Sequence, residues 1–254
     1  FTLCAVVLAY PVISLLRSGR ILPALLLIAV ALSFVVNMAF VVVSRTALVT
    51  MPIMLAVFAL LHLRWRTSVA ILCVAIVLAG LALATSPKLH STIESFSSDY
   101  TRYKEQNVAT SIGLRLEYWR KSLRFFAEAP VLGHGTGSAE KLFEQAAVGP
   151  IRAATAEVVA NPHNQTLNVA VQWGVLGVTV LYAMWLSHLL LFRGDGLTAW
   201  IGLMVVAQNF FSSLFNSHIF DFSEGWIYVL GVGVAGGMML KAGPREAAPG
   251  TEFR

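Results

Sequence analysis

Apolar runs of roughly 20 residues recur along this chain and restrict it to a single class of fold, because such runs cross the ~30 Å hydrocarbon layer of a bilayer as helices. Hydrophobic residues make up 57% of the 254 residues and charged residues 12%. So little polar surface cannot cover the core of a soluble protein of this length. The sequence therefore predicts an all-α protein, a polytopic transmembrane helix bundle.

The runs divide the chain into four parts. Residues 1–85 carry four predicted spans, residues 86–165 form one long polar loop, residues 166–240 carry three more spans, and residues 241–254 form a polar tail. A loop of this length is unusual between two helices and is expected to carry function. Because Phe1 already lies inside an apolar run, we expect further spans to precede it.

Basic residues mark the two sides of the predicted membrane. If the spans alternate, the basic clusters fall on one side, which the positive-inside rule makes cytoplasmic, and the long loop falls on the outer side. The net charge of +5 arises from these span-end clusters and not from one basic face, so no nucleic-acid partner is expected. The clusters are Arg17 with Arg20, Arg64 with Arg66, Arg193, and Lys241 with Arg245.

A helix with an apolar stripe is predicted within the long loop. It is expected to lie along the membrane surface with its basic residues near lipid phosphates. A helix that packs within the protein and keeps its charges solvated is the alternative. Pro130 should end the helix, and a glycine-rich turn follows at 133–137. The stripe comprises Ile112, Leu116, Trp119, Leu123 and Phe126, and the basic residues are Arg115, Arg120, Lys121 and Arg124.

Three polar positions on the outer side are candidates for chemistry. Arg45 stands at the outer end of a span, where it either anchors the helix at the interface or holds a phosphate with its planar donor fork. Arg115 and Trp119 form either an interfacial helix or part of a binding site. His163, followed by Asn164, lies where the loop meets a span; it is either structural or a proton acceptor.

The motifs occur in an order that resembles a known family. His163-Asn164 is followed, after nine residues, by Gly174-Val175-Leu176-Gly177. Arg115-x-x-x-Trp119 precedes Pro130-Val131-Leu132-Gly133. With Arg45 upstream, this set resembles the O-antigen ligase family, which includes O-antigen polymerases and some protein O-oligosaccharyltransferases. Gln172 stands where that family often carries an acidic residue.

The resemblance implies a glycosyltransferase of the bacterial inner membrane whose active site faces the periplasm. It would move a glycan from undecaprenyl diphosphate to a hydroxyl of the lipid A–core acceptor, with inversion and without a metal or other cofactor. His163 would be the base, and Arg45 and Arg115 would bind the diphosphate. Asn164, Trp119 and Arg120 would support them.

Several alternatives to this reading remain open. An O-antigen polymerase or a protein O-oligosaccharyltransferase would use the same chemistry on another acceptor. A membrane transporter would require polar residues near the bilayer midplane. Asn37, Gln208 and Asn209 are the only such hints. A purely structural membrane subunit would explain the hydrophobicity but not the ordered arginines and histidine.

Overall fold

The computed structural model describes residues 1–41 and 44–242. Within these ranges, the side chains of Arg45, His62, Ile71 and Ala242 are outside the description. Every regular element in the described part of the chain is a helix. The predicted all-α, polytopic helical fold is confirmed.

Eleven α-helices and one 3₁₀ turn, at Ala154–Ala156, follow one another along the described residues. The α-helices are α1 Thr2–Val7, α2 Ala9–Arg17, α3 Ile21–Phe40, α4 Arg45–His62, α5 Trp65–Thr85, α6 Pro87–Gln106, α7 Ser111–Glu128, α8 Ser138–Gln145, α9 Gln165–Leu191, α10 Leu197–Ser212 and α11 Phe222–Ala242.

Four helices, α3, α5, α9 and α11, are long and apolar enough to cross a membrane. Three other apolar segments are shorter: Thr2–Arg17, Thr46–Leu61 and Leu197–Ser212. The first of them is interrupted at Leu8, which separates α1 from α2. The division into seven spans and four sequence parts stays a prediction.

Helix α10 lies at the centre of the apolar packing. On one side, Val206 belongs to a buried cluster with Trp185 of α9 and Tyr228 of α11. On the other side, Trp200 and Met204 belong to a second cluster with residues of α1 and α4. The end of α10 therefore has α4, α9 and α11 as neighbours, and these neighbours build the candidate site.

Helix α7 buries a different face from the predicted stripe. Tyr118 and Phe125 pack on Phe143 of α8 and Val171 of α9, whereas Leu123 of the stripe is 57% exposed. Lys121, expected near lipid phosphates, is buried, and its ammonium donates to the Thr155 carbonyl at 2.6 Å. Helix α7 thus packs within the protein, because its aromatic residues on the Tyr118 side meet α8 and α9.

The turn after α7 is tied to a break in α9. Gly174 has non-helical dihedral angles (φ 61°, ψ −156°), which interrupts the hydrogen bonds of α9. The turn takes up the released groups: the amide of Val175 donates to the Pro130 carbonyl, and the amides of His134 and Gly135 donate to backbone carbonyls of α9 at 2.9 Å. The glycine-rich segment is therefore a docked connection between α7 and α9.

Glycine is required where the two backbones meet. A Cβ atom on Gly133 would lie 2.5 Å from the Trp173 amide nitrogen, and one on Gly174 would lie 2.7 Å from the Leu132 amide nitrogen. Both residues also have positive φ, which side chains disfavour. Gly174 therefore permits the close approach of the turn after α7 to helix α9.

We predict that Gly133→Ala destabilises the protein far more than Gly135→Ala. Both glycines have positive φ, so each alanine costs about 1–2 kcal/mol of backbone strain. At Gly133 the new methyl group meets the α9 backbone. At Gly135, no atom of the described residues beyond the two adjoining ones would lie within 4 Å of it. The clash should raise the cost to about 3 kcal/mol or more. Thermal unfolding in detergent measures the difference, and equal losses would contradict the docked connection.

Candidate functional site

A cavity of about 440 Å³ lies at the end of the bundle where α4, α9 and α11 begin and α10 ends. Its wall is rich in polar side chains, an unusual composition for a bundle whose helices are so apolar. Helix α7 contributes one cation, Arg115, to this wall. Other polar members of the wall include Thr50, Gln208, Asn209, Asn216, His218 and the acidic Glu224.

Two buried polar atoms of this wall lack a hydrogen-bond partner among the described residues. They are the hydroxyl oxygen of Thr50, which is fully buried, and the amide oxygen of Gln208. A buried polar atom without a hydrogen-bond partner destabilises the fold by about 1–3 kcal/mol. Such atoms are therefore uncommon in protein interiors unless they bind a ligand or another polar group. The wall is therefore suited to a polar ligand.

The segment before α9 is joined to the turn after α10 by side-chain hydrogen bonds. Asn164 caps α9 by accepting from the Leu167 amide at 3.0 Å, and its own amide group donates to the Leu214 carbonyl at 2.9 Å. Asn161 accepts from the Ser217 hydroxyl at 2.6 Å. Pro162 and His163 lie between the two asparagines, and these contacts fix the position of the second.

That residue, His163, is held by its backbone and by its ring. Its φ is +53°, a left-handed conformation, and its amide donates to the Asn161 side chain at 2.9 Å. Its Nδ1 lies 2.7 Å from Oδ1 of Asn216, and the centre of its ring lies 6.1 Å from that of Tyr118. His163 is therefore fixed between α7 and the turn after α10.

The structure places the predicted site residues around one end of the bundle, with two qualifications. Arg115 lines the cavity. His163 is not part of the lining, but its partner Asn216 is, and Tyr118 is three residues beyond Arg115 on α7. The side chain of Arg45 lies outside the described residues, although its neighbours Ser44 and Thr46 line the cavity.

The three residues predicted to give support have structural contacts. Asn164 is the cap of α9. Trp119 packs against the Phe125–Phe143 cluster, and its indole nitrogen is buried without a hydrogen-bond partner among the described residues. The guanidinium of Arg120 makes two hydrogen bonds to Glu117, at 2.7 and 3.1 Å.

The Glu117 carboxylate is almost fully buried, at 1% exposure. Burial acts to raise its pKa, but the hydrogen bonds and charge of Arg120 outweigh burial, so the pKa of Glu117 lies below its ordinary value. Lys121 is nearby, and burial lowers the pKa of its ammonium group. Arg120 thus keeps a buried carboxylate ionised on α7, two residues beyond Arg115.

Sequence reasoning placed the turn 216–224, between α10 and α11, on the outer side but assigned no site residue to it. This turn supplies Asn216, which binds His163, and Asp221, which accepts from the Asn216 amide at 2.9 Å and lies 3.1 Å from Nδ1 of His218. The available signal was six polar or titratable residues within the nine positions 216–224, where two apolar helices are joined. One ligand atom each from His218, Asp221 and Glu224 lie within 4.8 Å of one another, a spacing that could hold a cation.

Comparison with known proteins supports the resemblance seen in the motifs. The family model described as O-antigen ligase matches residues 30–182, more than half of the chain. The chain therefore belongs to the O-antigen ligase family, and it is a helical membrane protein of that family. The match includes α7, the docked turn, His163 and most of α9.

One relative is an uncharacterized protein of Haemophilus influenzae. It is 28% identical over 154 residues, which amount to 59% of this chain and 39% of that relative. The matched region thus spans about two fifths of the relative's length.

We predict that Arg120→Gln lowers the free energy of unfolding by about 1–3 kcal/mol near neutral pH, because Glu117 loses a charged partner while buried. The pKa of Glu117 is lowered in the fold, so this stabilisation exists above its unfolded pKa. It disappears as pH falls through its folded pKa. The gap between wild type and variant should therefore close on acidification.

Arg124→Gln is the matched control for this prediction. Arg124 pairs with Glu128 on the same helix at 3.3 Å, and both side chains are mostly exposed. Its loss should cost less than about 1 kcal/mol. Thermal unfolding of both variants between neutral and acidic pH measures the two effects. A gap for Arg120→Gln that stays constant with pH would contradict the assignment to Glu117.

Proposed function

We propose that the protein transfers a glycan from a polyprenyl diphosphate, most simply undecaprenyl diphosphate, to a hydroxyl group of an acceptor. The observation that carries this proposal is one polar cavity flanked by Arg115 and by the Asn216–His163 pair. Family membership favours the glycosyltransferase class. A lipid A–core sugar is the proposed acceptor, and the outer, periplasmic side of the bacterial inner membrane is the proposed location.

Arginine suits the donor's leaving group. As the bond between sugar and phosphate breaks, negative charge develops on the diphosphate, and fixed cations in a site sheltered from water stabilise that charge. Arg115 offers a planar fork of donors to phosphate oxygens. Arg45, at the start of α4 beside the cavity-lining Ser44 and Thr46, is the second proposed diphosphate ligand.

His163 is the proposed general base. The acceptor oxygen attacks the anomeric carbon from the face opposite the diphosphate, and a new glycosidic bond forms while the bond to the diphosphate oxygen breaks. The hydroxyl proton passes to the imidazole, and the bonding electrons leave with the diphosphate. Attack from the opposite face inverts the configuration at the anomeric carbon. A neutral imidazole accepts a proton readily near pH 7.

Two enzyme alternatives share this chemistry and differ in the acceptor. An O-antigen polymerase would extend a growing glycan, and a protein O-oligosaccharyltransferase would use a Ser or Thr hydroxyl. The transporter alternative drew on Asn37, Gln208 and Asn209. Gln208 and Asn209 line the cavity, and Asn209 also accepts from the Trp185 indole at 3.1 Å, so the positions of these two fit a binding site at the end of the bundle.

The full-length gene expressed in a strain that lacks its O-antigen ligase tests this proposal. Return of the lipopolysaccharide ladder is expected, because the acceptor would again receive the polymerised glycan. A ladder that stays absent despite normal membrane levels of the protein would contradict ligase activity. Return of long carrier-linked glycans in a strain that lacks its O-antigen polymerase would indicate the polymerase instead.

We predict that His163→Ala and Arg115→Lys fail in different ways. Loss of the base should reduce turnover about 10²–10⁴-fold while donor binding is largely kept. Lysine at position 115 keeps the charge but loses the planar fork, so donor affinity and turnover should both fall. Steady-state kinetics with purified full-length enzyme and donor-binding assays measure the two parameters separately.

Matched substitutions at exposed positions of the same loop serve as controls. His90→Ala and Arg124→Lys remove the same groups from side chains that are both more than 60% exposed. Both control variants should retain activity. A well-folded His163→Ala enzyme with normal turnover would remove His163 from the role of base.

We also predict that transfer needs no divalent metal, because guanidinium groups carry the charge stabilisation. Purified enzyme should keep its activity in excess chelator. The His218, Asp221 and Glu224 group makes this a direct test, since its ligand atoms are close enough to hold a cation. Loss of activity on chelation, with recovery in magnesium or manganese, would overturn the arginine mechanism.

A further inference from the structure

A chain of two hydrogen bonds leads from Asp221 to the imidazole of His163. We propose that Asp221 and Asn216 are positioning residues that hold His163 in the tautomer with its proton on Nδ1, so that Nε2 is the proton-accepting nitrogen. This inference rests on the proposed role of His163 as the base. Neither residue was identified by the motifs of the sequence.

The direction of each hydrogen bond follows from chemistry. An ionised carboxylate only accepts hydrogen bonds, so Asp221 must face the NH₂ group of Asn216, at 2.9 Å. The amide of Asn216 is then oriented with its oxygen toward His163, 2.7 Å from Nδ1. An amide oxygen also only accepts, so Nδ1 must carry the proton. The lone pair of the neutral ring is therefore on Nε2.

The surroundings of His163 limit other arrangements of the ring. Its backbone amide is bound to Asn161, and one face of its ring approaches Tyr118. With Nδ1 bound to Asn216, His163 has three contacts, one through its backbone and two through its ring. Rotation about χ2 would break the hydrogen bond to Asn216. A base fixed in one tautomer and one orientation loses little freedom when the acceptor binds.

The Asp221 carboxylate, where the hydrogen-bond chain begins, has other neighbours, and the test must distinguish their effects from those of Asn216. His218 lies 3.1 Å from the same oxygen of Asp221, and Glu224 is close enough to share a cation with them. A metal at this group would need Glu224 as well as Asp221. The hydrogen-bond chain needs Asp221 and Asn216 and makes no use of Glu224.

The test compares full-length enzyme carrying Asp221→Asn, Asn216→Asp, both substitutions together, or Glu224→Gln. The first readout is the ¹⁵N spectrum of labelled histidine, in which His163 is assigned from its absence in His163→Ala. The second is the division of the kinetic effect between kcat and the KM for the donor. Asp195→Asn makes the same change on an exposed residue between α9 and α10 and is the matched control.

Asp221→Asn should convert His163 from one tautomer to a mixture, because the amide of Asn216 can then face either way. We expect kcat to fall about 10–100-fold, as for other groups that orient a functional histidine, with the KM for the donor almost unchanged. Glu224→Gln should leave the spectrum of His163 as in wild type. Asp195→Asn should change neither readout.

The double variant is the most specific arm. With Asn216→Asp, a carboxylate at position 216 accepts directly from Nδ1, and with Asp221→Asn an amide at position 221 donates to that carboxylate. The polarity of the chain is rebuilt, so the double variant should regain a single Nδ1–H tautomer. Its kcat should recover roughly tenfold over Asp221→Asn alone, equivalent to about 1.4 kcal/mol. A purely structural role for Asp221 predicts no such rescue.

Three results would overturn the proposal. The first is a His163 spectrum that stays wild-type in Asp221→Asn. The second is a double variant no better than the single one. The third is a change in tautomer with Glu224→Gln equal to that with Asp221→Asn, which would indicate a bound cation. Because the spectrum is recorded without substrate, it tests the hydrogen-bond chain even if the enzyme transfers no glycan.

Discussion

The backbone contact between the turn after α7 and the break in α9 is the constraint on which the rest of the site depends. Helix α7 carries Arg115, and α9 begins directly after His163. The only covalent route between them is a long segment that contains little regular structure. The hydrogen bonds near Gly174 fix the position of α7 relative to α9, and Gly133 allows the backbone of the turn to approach that of α9. Without this contact, the distance from Arg115 to His163 would depend only on the side-chain packing of α7 against α9 and on the contact between Tyr118 and His163.

A second connection completes the site from the other direction. The segment 161–165 binds the turn that follows α10, so that His163 meets Asn216. The same turn leads into α11, whose first residues border the cavity. Polar side chains are concentrated at this end of the bundle, whereas the helices that converge there are otherwise apolar. Their hydrogen bonds are sheltered from water, which makes their geometry more strictly defined.

Sequence patterns predict those features that depend on a single segment. Apolar runs of span length predict the helical fold, and the order of Arg115, the glycine turn and His163 indicates the family. Contacts between distant segments leave no local pattern. Asn216 is 53 residues from His163, so nothing in the His-Asn motif points to it. Apolar periodicity also gives no weight to Glu117 and Lys121 of α7, so it could not predict that both are buried through polar contacts.

We propose that the cavity beside Arg115 receives the diphosphate of a polyprenyl-linked glycan. The most direct measurement is a cryo-electron microscopy structure of the full-length enzyme with a non-hydrolysable donor analogue. We expect diphosphate density within hydrogen-bond distance of the Arg115 guanidinium, with the anomeric carbon of the sugar directed toward the His163 side of the cavity. Density for the diphosphate at another face of the protein, with the cavity filled by lipid or by further helices, would contradict it.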